Sequence, residues 1–353
     1  MSLKMIPFHA LTLEECKRYL VEKGEKPFRA EQIFFWVYGQ RQRHWEAMSN
    51  LSLGLRGSLK STFSLQTIQQ RRVLTSQDKE TVKFLWQLSD GKLVESVLIL
   101  SGERRTVCVS SQVGCPARCA FCASGKEGLV RNLRAEEIFE QVYAIDCALH
   151  EKGERVSHVV FMGMGEPLEN YDNVLGAIRL LIDPQRLNLS QRRITLSTVG
   201  VIEGIERLSD EGLGVNLVLS LHAPNQHVRK KIIPYARRYE LEDVLKAMRA
   251  FSQKTGRDVT YEYTLIAGIN DTKEHAHELG ALLKGEQCSV NLIPYNPVEG
   301  LLLERPEGQV IETFRAVLAS YGLVVTWRYT KGKDIAAACG QLAMQEQALL
   351  QVN

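Results

Sequence analysis

From Arg105 to Tyr329 the chain repeats one pattern, a short apolar run followed by a longer stretch of helical periodicity, and this restricts its possible folds severely. The runs are Thr106–Ser110, Val156–Met162, Arg193–Ser197, Gly214–Ser220, Asp258–Ile266, Ser289–Pro294 and Leu323–Tyr329. Between them lie Arg134–Leu149, Asn170–Leu181, Ile202–Leu208, Leu241–Thr255, Thr272–Leu283 and Glu307–Ser320. Parallel strands cannot be joined by a tight turn and need a crossover of a dozen or more residues, which a helix supplies. Repeated β-then-α units therefore predict an α/β fold with a parallel sheet, complete or partial as a (β/α) barrel. Chemistry in such barrels sits where the strands end.

Two smaller regions precede this core. Residues 1–66 read as a helical accessory domain: a helix over Leu11–Lys23 opening on a Thr12/Glu15 capping box and stopping at Gly24, then Arg29–Tyr38 and Leu51–Phe63. Its Arg41, Arg43, Trp45 and Lys60 suit contact with RNA or with solvent equally well. Residues 67–104 carry strand signals at Ile68–Leu74, Thr81–Leu88 and Lys92–Leu100, with Asp90-Gly91 as a two-residue hairpin turn. Residues 105–330 form the core, and 331–353 are a C-terminal segment.

A net charge of +3 does not by itself imply a polyanionic partner. Basic residues do recur at Arg71-Arg72, Arg104-Arg105, Arg192-Arg193, Arg229-Lys230-Lys231 and Arg237-Arg238. On one face they would make a phosphate-binding footprint; scattered, they are solvated surface. No run of eighteen apolar residues marks a membrane span, and Met1–Pro7 lacks the apolar stretch of a secretory signal. A cytoplasmic protein is the expectation.

Of eight cysteines, Cys16, Cys147 and Cys288 stand alone and read as small buried hydrophobes. Cys108, Cys115, Cys119 and Cys122 crowd together, and Cys339 lies near the C-terminus. Cys115, Cys119 and Cys122 form C-x3-C-x2-C after the first core run. Thiolates are the natural ligands of iron–sulfur clusters, and three on one loop leave one iron without a protein ligand. Structural zinc, the competing reading, usually takes four ligands with C-x2-C spacing, and the nearest histidine downstream is His150.

Further words occur in order: Cys108-Val109-Ser110-Ser111-Gln112-Val113-Gly114-Cys115, Gly163-Met164-Gly165-Glu166-Pro167, Ser220-Leu221-His222-Ala223-Pro224-Asn225 and Ala338-Cys339-Gly340-Gln341-Leu342. With the cysteine loop, this set resembles the radical-SAM superfamily and, within it, the RlmN/Cfr RNA adenine methyltransferases. The resemblance covers nearly the whole chain, the helical N-terminal domain included. It implies a partial (β/α)6 radical-SAM barrel, a [4Fe–4S] cluster on Cys115, Cys119 and Cys122, and S-adenosylmethionine as methyl donor and radical source. Chemistry agrees: carbon 2 of adenine is a poor nucleophile that simple methyl displacement cannot alkylate, whereas a thiolate takes a methyl readily.

The resemblance also assigns roles. Cys339 would carry the methyl group, Cys108 would release the product by forming a disulfide with Cys339, and Glu95 would accept the proton from the adduct. Gly165, Glu166, Ser197, Ser220, Leu221, His222 and Asn296 would bind S-adenosylmethionine. Taken on their own residues, Cys339 and Cys108 read as buried inert cysteines, Glu95 as an outward strand position and His222 as a structural histidine. The implied substrates are an adenine in 23S rRNA at the peptidyl-transferase centre and one in the anticodon loop of tRNAs, with an electron donor such as flavodoxin and a monomeric enzyme. Pro167 and Val113 favour the C2-methylating branch over the C8-methylating, Cfr-like one. A non-catalytic zinc or iron–sulfur RNA-binding protein remains the alternative of a different class.

Overall fold

The structure, a computed structural model, describes residues 5–327 and 331–343. The end of the last expected strand lies outside the described residues.

The N-terminal part contains β1 (Ile6–Pro7), α1 (Leu13–Glu22), α2 (Arg29–Phe34), α3 (Leu53–Thr62) and β2 (Phe63–Ser64), which pairs in parallel with β1. The expected capping box opens α1: Thr12 accepts from the Glu15 amide, and Glu15 accepts from the Thr12 amide. Phe8 centres the local core, its ring edge-on to Phe34, Trp45 and Phe63.

Next come β3 (Ile68–Thr75), β4 (Thr81–Leu88), β5 (Leu93–Ser101) and β6 (Arg104–Cys108), then a ribbon of β7 (Gln112–Gly114) and β8 (Leu129–Asn132). The barrel follows as α4 (Ala135–His150), β9 (His158–Phe161), α5 (Tyr171–Ile182), β10 (Ile194–Thr198), α6 (Ile202–Asp210), β11 (Asn216–Ser220), α7 (Gln226–Ile232) and α8 (Leu241–Thr255). It ends with β12 (Val259–Leu265), α9 (Lys273–Leu283), β13 (Cys288–Pro294), α10 (Gly308–Ser320) and β14 (Val324–Trp327).

One ten-stranded sheet, ordered β14-β13-β12-β11-β10-β9-β6-β5-β4-β3, runs through the molecule. From β6 to β14 all pairings are parallel, with six crossovers each carrying at least one helix, which is the expected partial (β/α)6 barrel. On the other side β3, β4 and β5 continue the same sheet as an antiparallel meander. The β4–β5 connection is one residue longer than the expected two-residue turn. The Leu88 and Gly91 amides close it onto Lys92 O and Leu88 O, and Gly91 takes the left-handed φ of +82° that such three-residue loops place there.

Helix α4 is the hub. Buried polar groups must be paired, and α4 carries four, each fastened to a different segment. Glu137 pairs with Arg131, Glu140 holds Thr67 and Arg43, Gln141 holds Ser96 and Ser110, and Asp146 holds Arg41 and the Val156 amide. This overturns the reading of Arg41, Arg43 and Trp45 as candidate RNA contacts: the two arginines face α4, and Trp45 is buried with its Nε1–H on Phe63 O. Lys60 pairs with Glu46. Among the lone cysteines, Cys16 and Cys147 are buried as expected, but Cys288 is only partly so.

Arg186 clamps the N-terminal part to the barrel. Its guanidinium is buried, donates to His9 O, Leu11 O and the Tyr38 hydroxyl, and pairs with Asp183 at 3.0 Å. Arg186→Ala strands several buried acceptors and is expected to destabilise the protein by about 3 kcal/mol. Chemical denaturation measures this, and amide exchange should quicken first in residues 8–65; unchanged exchange there would remove the clamp.

No described helix is long and apolar enough to cross a membrane.

Candidate active site

The cysteine loop is shaped before any ligand is considered. Gly114 ends β7 at φ +76°, where an added Cβ would sit 2.0 Å from Gly128 O, so only glycine lets the β7–β8 ribbon close. Cys115 N–H then donates to Gly128 O, Cys122 N–H to Cys119 O, and Ala120 N–H to Ile232 O at the end of α7. This points Cys115, Cys119 and Cys122 into one cavity at the carboxyl ends of the barrel strands. Burial pushes the Cys115 thiol up to about 12, and it raises Cys119 and Cys122 as well, the neighbouring thiols adding to Cys119. Thiolates here need a cationic partner, as iron supplies. Among the described residues no three His, Cys, Asp or Glu side chains converge on one point as the ligands of a single ion do. Three thiols spaced around a common space suit a polynuclear cluster, which takes one thiolate per iron.

Gly165, Glu166, Ser197, Ser220, His222, Asn296 and Cys339 line the same cavity. Glu166 accepts from Leu168 N–H (3.0 Å) and Val199 N–H (2.8 Å), which ties the loop after β9 to the end of β10. Burial raises its carboxyl to about 7 despite those bonds. Ser197 and Ser220 hydroxyls lie 3.2 Å apart. His222 holds a left-handed φ of +56°. Its Nδ1 accepts from Thr264 N–H at 2.9 Å, leaving the proton on Nε2, and burial keeps the ring neutral by lowering its pKa to about 3. Phe121 meets this ring edge-on at 4.9 Å. The set offers carboxylate, hydroxyl, imidazole N–H and amide groups around apolar walls, which fits the ammonium, ribose and adenine of S-adenosylmethionine.

Two expectations change. Leu221 is fully buried and does not line the cavity; its carbonyl serves Arg229. Gly163 and Gly165 both line the cavity, and an added Cβ would meet Val109 and Ser110 at Gly163 and Ser111 and Gln112 at Gly165, so the turn packs closely on the chain that follows β6. Arg229 is not part of a basic surface but 1% exposed. Lys83, Thr198, Glu262, Thr264 and Tyr295 belong to the two cavities or their walls without having been singled out.

Glu95 is buried, and sheet register settles its direction. Leu85 faces Glu95, Lys83 faces Val97, and Val97 faces Cys108. Cross-strand partners share a face, so Lys83, Glu95 and Cys108 lie together on the face opposite Ser96, whose hydroxyl meets α4. Lys83 Nζ pairs with Glu95 Oε1 at 3.1 Å, and Ala343 N–H donates to Oε2 at 2.9 Å. Burial raises the Glu95 pKa, and Lys83 works against that rise.

Residues 331–343 stand between two cavities. Cys339 and Gly340 line the cysteine cavity, while Lys333–Ala336, Gln341 and Ala343 line a second of about 350 Å³ that contains Glu95 and Lys83. The segment is pinned by Ala123 N–H on Gly340 O, Ser124 on Leu342 O, Asn296 on Cys339 O and Lys83 on Ala336 O. The structure therefore brings Cys339 to the cluster loop and Glu95 beside Cys108, with the segment between them. All eight cysteines are outside disulfides, so the Cys108–Cys339 bond implied for turnover is not formed here.

Residues 109–279 match the model of the radical SAM superfamily, and residues 8–65 that of the ribosomal RNA large subunit methyltransferase N-terminal domain. A probable dual-specificity RNA methyltransferase RlmN 2 of Protochlamydia amoebophila is 63% identical over 93% of this chain and 92% of its own length. A probable dual-specificity RNA methyltransferase RlmN of Lachnoclostridium phytofermentans is 47% identical over 96% and 94%. The crystal structure of a radical SAM methyltransferase from Sphaerobacter thermophilus superposes with a TM-score of 0.94 at 41% identity, covering 96% of this chain and all of that one.

Proposed function

The chain belongs to the RlmN family of radical SAM RNA methyltransferases, and we propose that it methylates carbon 2 of one adenine in 23S rRNA, at the peptidyl-transferase centre, and of one in the anticodon loop of tRNAs. The observation that carries this reading is the meeting of three partly buried thiols on the cysteine loop and a fourth, separate thiol, Cys339, in one cavity at the strand ends.

Cys115, Cys119 and Cys122 would hold the [4Fe–4S] cluster, with S-adenosylmethionine against Gly165, Glu166, Ser197, Ser220, His222 and Asn296. When bound, the pair supplies a methyl group and a carbon radical. The chain supplies the rest. Cys339, exposed at the cavity mouth, accepts the methyl and presents it to the base. Glu95, ionised with help from Lys83, takes the proton that leaves the adenine carbon. Cys108 attacks the Cys339 sulfur, the bond from that sulfur to the bridging methylene breaks, the methylene left on the base takes up a proton and so becomes the methyl group, and a disulfide remains for an external thiol to reopen. We place the enzyme in the cytoplasm as a monomer served by a low-potential donor such as flavodoxin.

Anaerobic reconstitution tests the reading. About four irons per chain are expected, lost in Cys119→Ala, with 5′-deoxyadenosine formed on reduction and 2-methyladenosine in digested RNA. Zinc in place of iron would make this a non-catalytic RNA-binding protein, and 8-methyladenosine would move it to the C8-methylating branch.

A further inference from the structure

Arg229 sits on α7, a seven-residue helix whose N-cap, Asn225, accepts from Val228 N–H. The helix is fitted to the cysteine loop. Its Ile232 O accepts from Ala120 N–H at 2.8 Å, and Val228 and Ile232 pack in one cluster with Ala117, Phe121 and the three cysteines. The Arg229 guanidinium turns inward behind the cavity wall, without lining the cavity itself. Nε donates to Leu221 O at 3.2 Å, and Nη2 donates to Val199 O at 2.6 Å and Ser220 O at 3.2 Å. Val199 and Ser220 are wall residues of the cavity.

A buried cation is normally matched by an anion, yet among the described residues the hydrogen-bond partners of Arg229 are three carbonyl oxygens and no carboxylate pairs with it. The titratable groups that act on it are Cys119 and Glu166, one on the cysteine loop and the other on the cavity wall. Carbonyl dipoles offset only part of a full charge. A cluster held by three thiolates is anionic and becomes one unit more negative on reduction, and net charge and local environment set such potentials. Arginine suits the place because its charge persists where a lysine's would be lost more readily.

We propose that Arg229 is a positioning residue for the cluster's charge: its fixed guanidinium, acting through the cavity wall beside Cys119, raises the reduction potential of the [4Fe–4S] cluster. One electron enters from a low-potential one-electron donor, the cluster gains one negative charge, and the guanidinium keeps its proton throughout. The inference rests on the cluster assignment above. It gives the cation no direct contact with S-adenosylmethionine.

The test is a potentiometric titration of the reconstituted full-length protein with dithionite, followed by electron paramagnetic resonance without S-adenosylmethionine. Wild type, Arg229→Gln, Arg229→Met and Arg229→Lys are compared, with iron content measured in each. The neutral variants are expected to keep their iron while the midpoint shifts to more negative potential, and Arg229→Lys to stay at the wild-type value at a pH low enough to keep its amine protonated. Unchanged or more positive midpoints in iron-replete neutral variants would overturn the proposal. Should neither neutral variant fold, the lysine variant decides through pH: a midpoint that falls further below wild type as pH rises and the amine loses its proton supports a charge effect, and a midpoint that keeps pace with wild type over that range refutes it. Wild-type protein that takes up no cluster would fail the functional reading instead, before any variant is compared.

Discussion

With Cys339 replaced by alanine, no methylated adenine is expected from a model ribosomal RNA fragment, while cluster content and thermal stability stay at wild-type levels. The structure explains why the substitution is selective. Cys339 is exposed, and its segment is held through the backbone by Asn296 on the Cys339 carbonyl and by Ala123 on that of Gly340. Ala336, Ala337 and Ala338 precede it in the same segment, so another methyl side chain is accommodated. What disappears is the sulfur. Removing a covalent nucleophile commonly costs on the order of 10⁶ in rate, and no other cysteine outside the cluster loop lines this cavity. Mass spectrometry of digested RNA reads the loss, and iron analysis shows whether the cluster survived. Methylation retained by this variant would defeat the role given to Cys339.

The strands and long helices of the barrel were legible because a doubly covered parallel strand reads as a continuous apolar run and a long crossover helix shows its period several times. The seven residues of α7 repeat too little for that, and Arg229 inside it looked like part of a basic surface triplet. Its burial is a tertiary fact, produced by carbonyls from the ends of two different strands. Glu95 shows the same limit in a strand. Val94, Glu95, Ser96 and Val97 are all buried, so no alternation marks an inner face, and only register with Lys83 and Cys108 gives the direction. Most of the cavity residues could be named through family resemblance because they lie in short contiguous words, while Ser197 and Asn296 were named as single positions at strand ends. Lys83, Thr264 and Tyr295 lie outside those words, and nothing in their neighbours singled them out.

Register also gives Cys108 its strongest expected phenotype. Cys108→Ala should accumulate protein covalently joined to RNA, recovered after nuclease digestion as intact chain carrying a nucleotide mass. Once a carbon bridges the Cys339 sulfur and the base, release requires a nucleophile at that sulfur. Cys16 lies in α1, Cys147 in α4, and Cys288 begins β13 at the end away from the cavity. Cys108 instead closes β6 on the face that carries Glu95, and the Ser110 hydroxyl two residues on holds Glu95 O at 2.6 Å. The proposed proton acceptor and the thiol proposed to free the product are thus on one face of the sheet, and the Cys339 segment bonds to both Glu95 and Lys83. Alanine fits the buried site with a stability loss of about 1 kcal/mol, so unfolding will not mimic the effect. Glu95→Gln should stall one step earlier, slowing proton removal by roughly 10²–10⁴-fold, with Cys108 intact. Normal release of methylated RNA by Cys108→Ala would mean that some other group opens the bond, and the pairing of Cys108 with Cys339 would have to be abandoned.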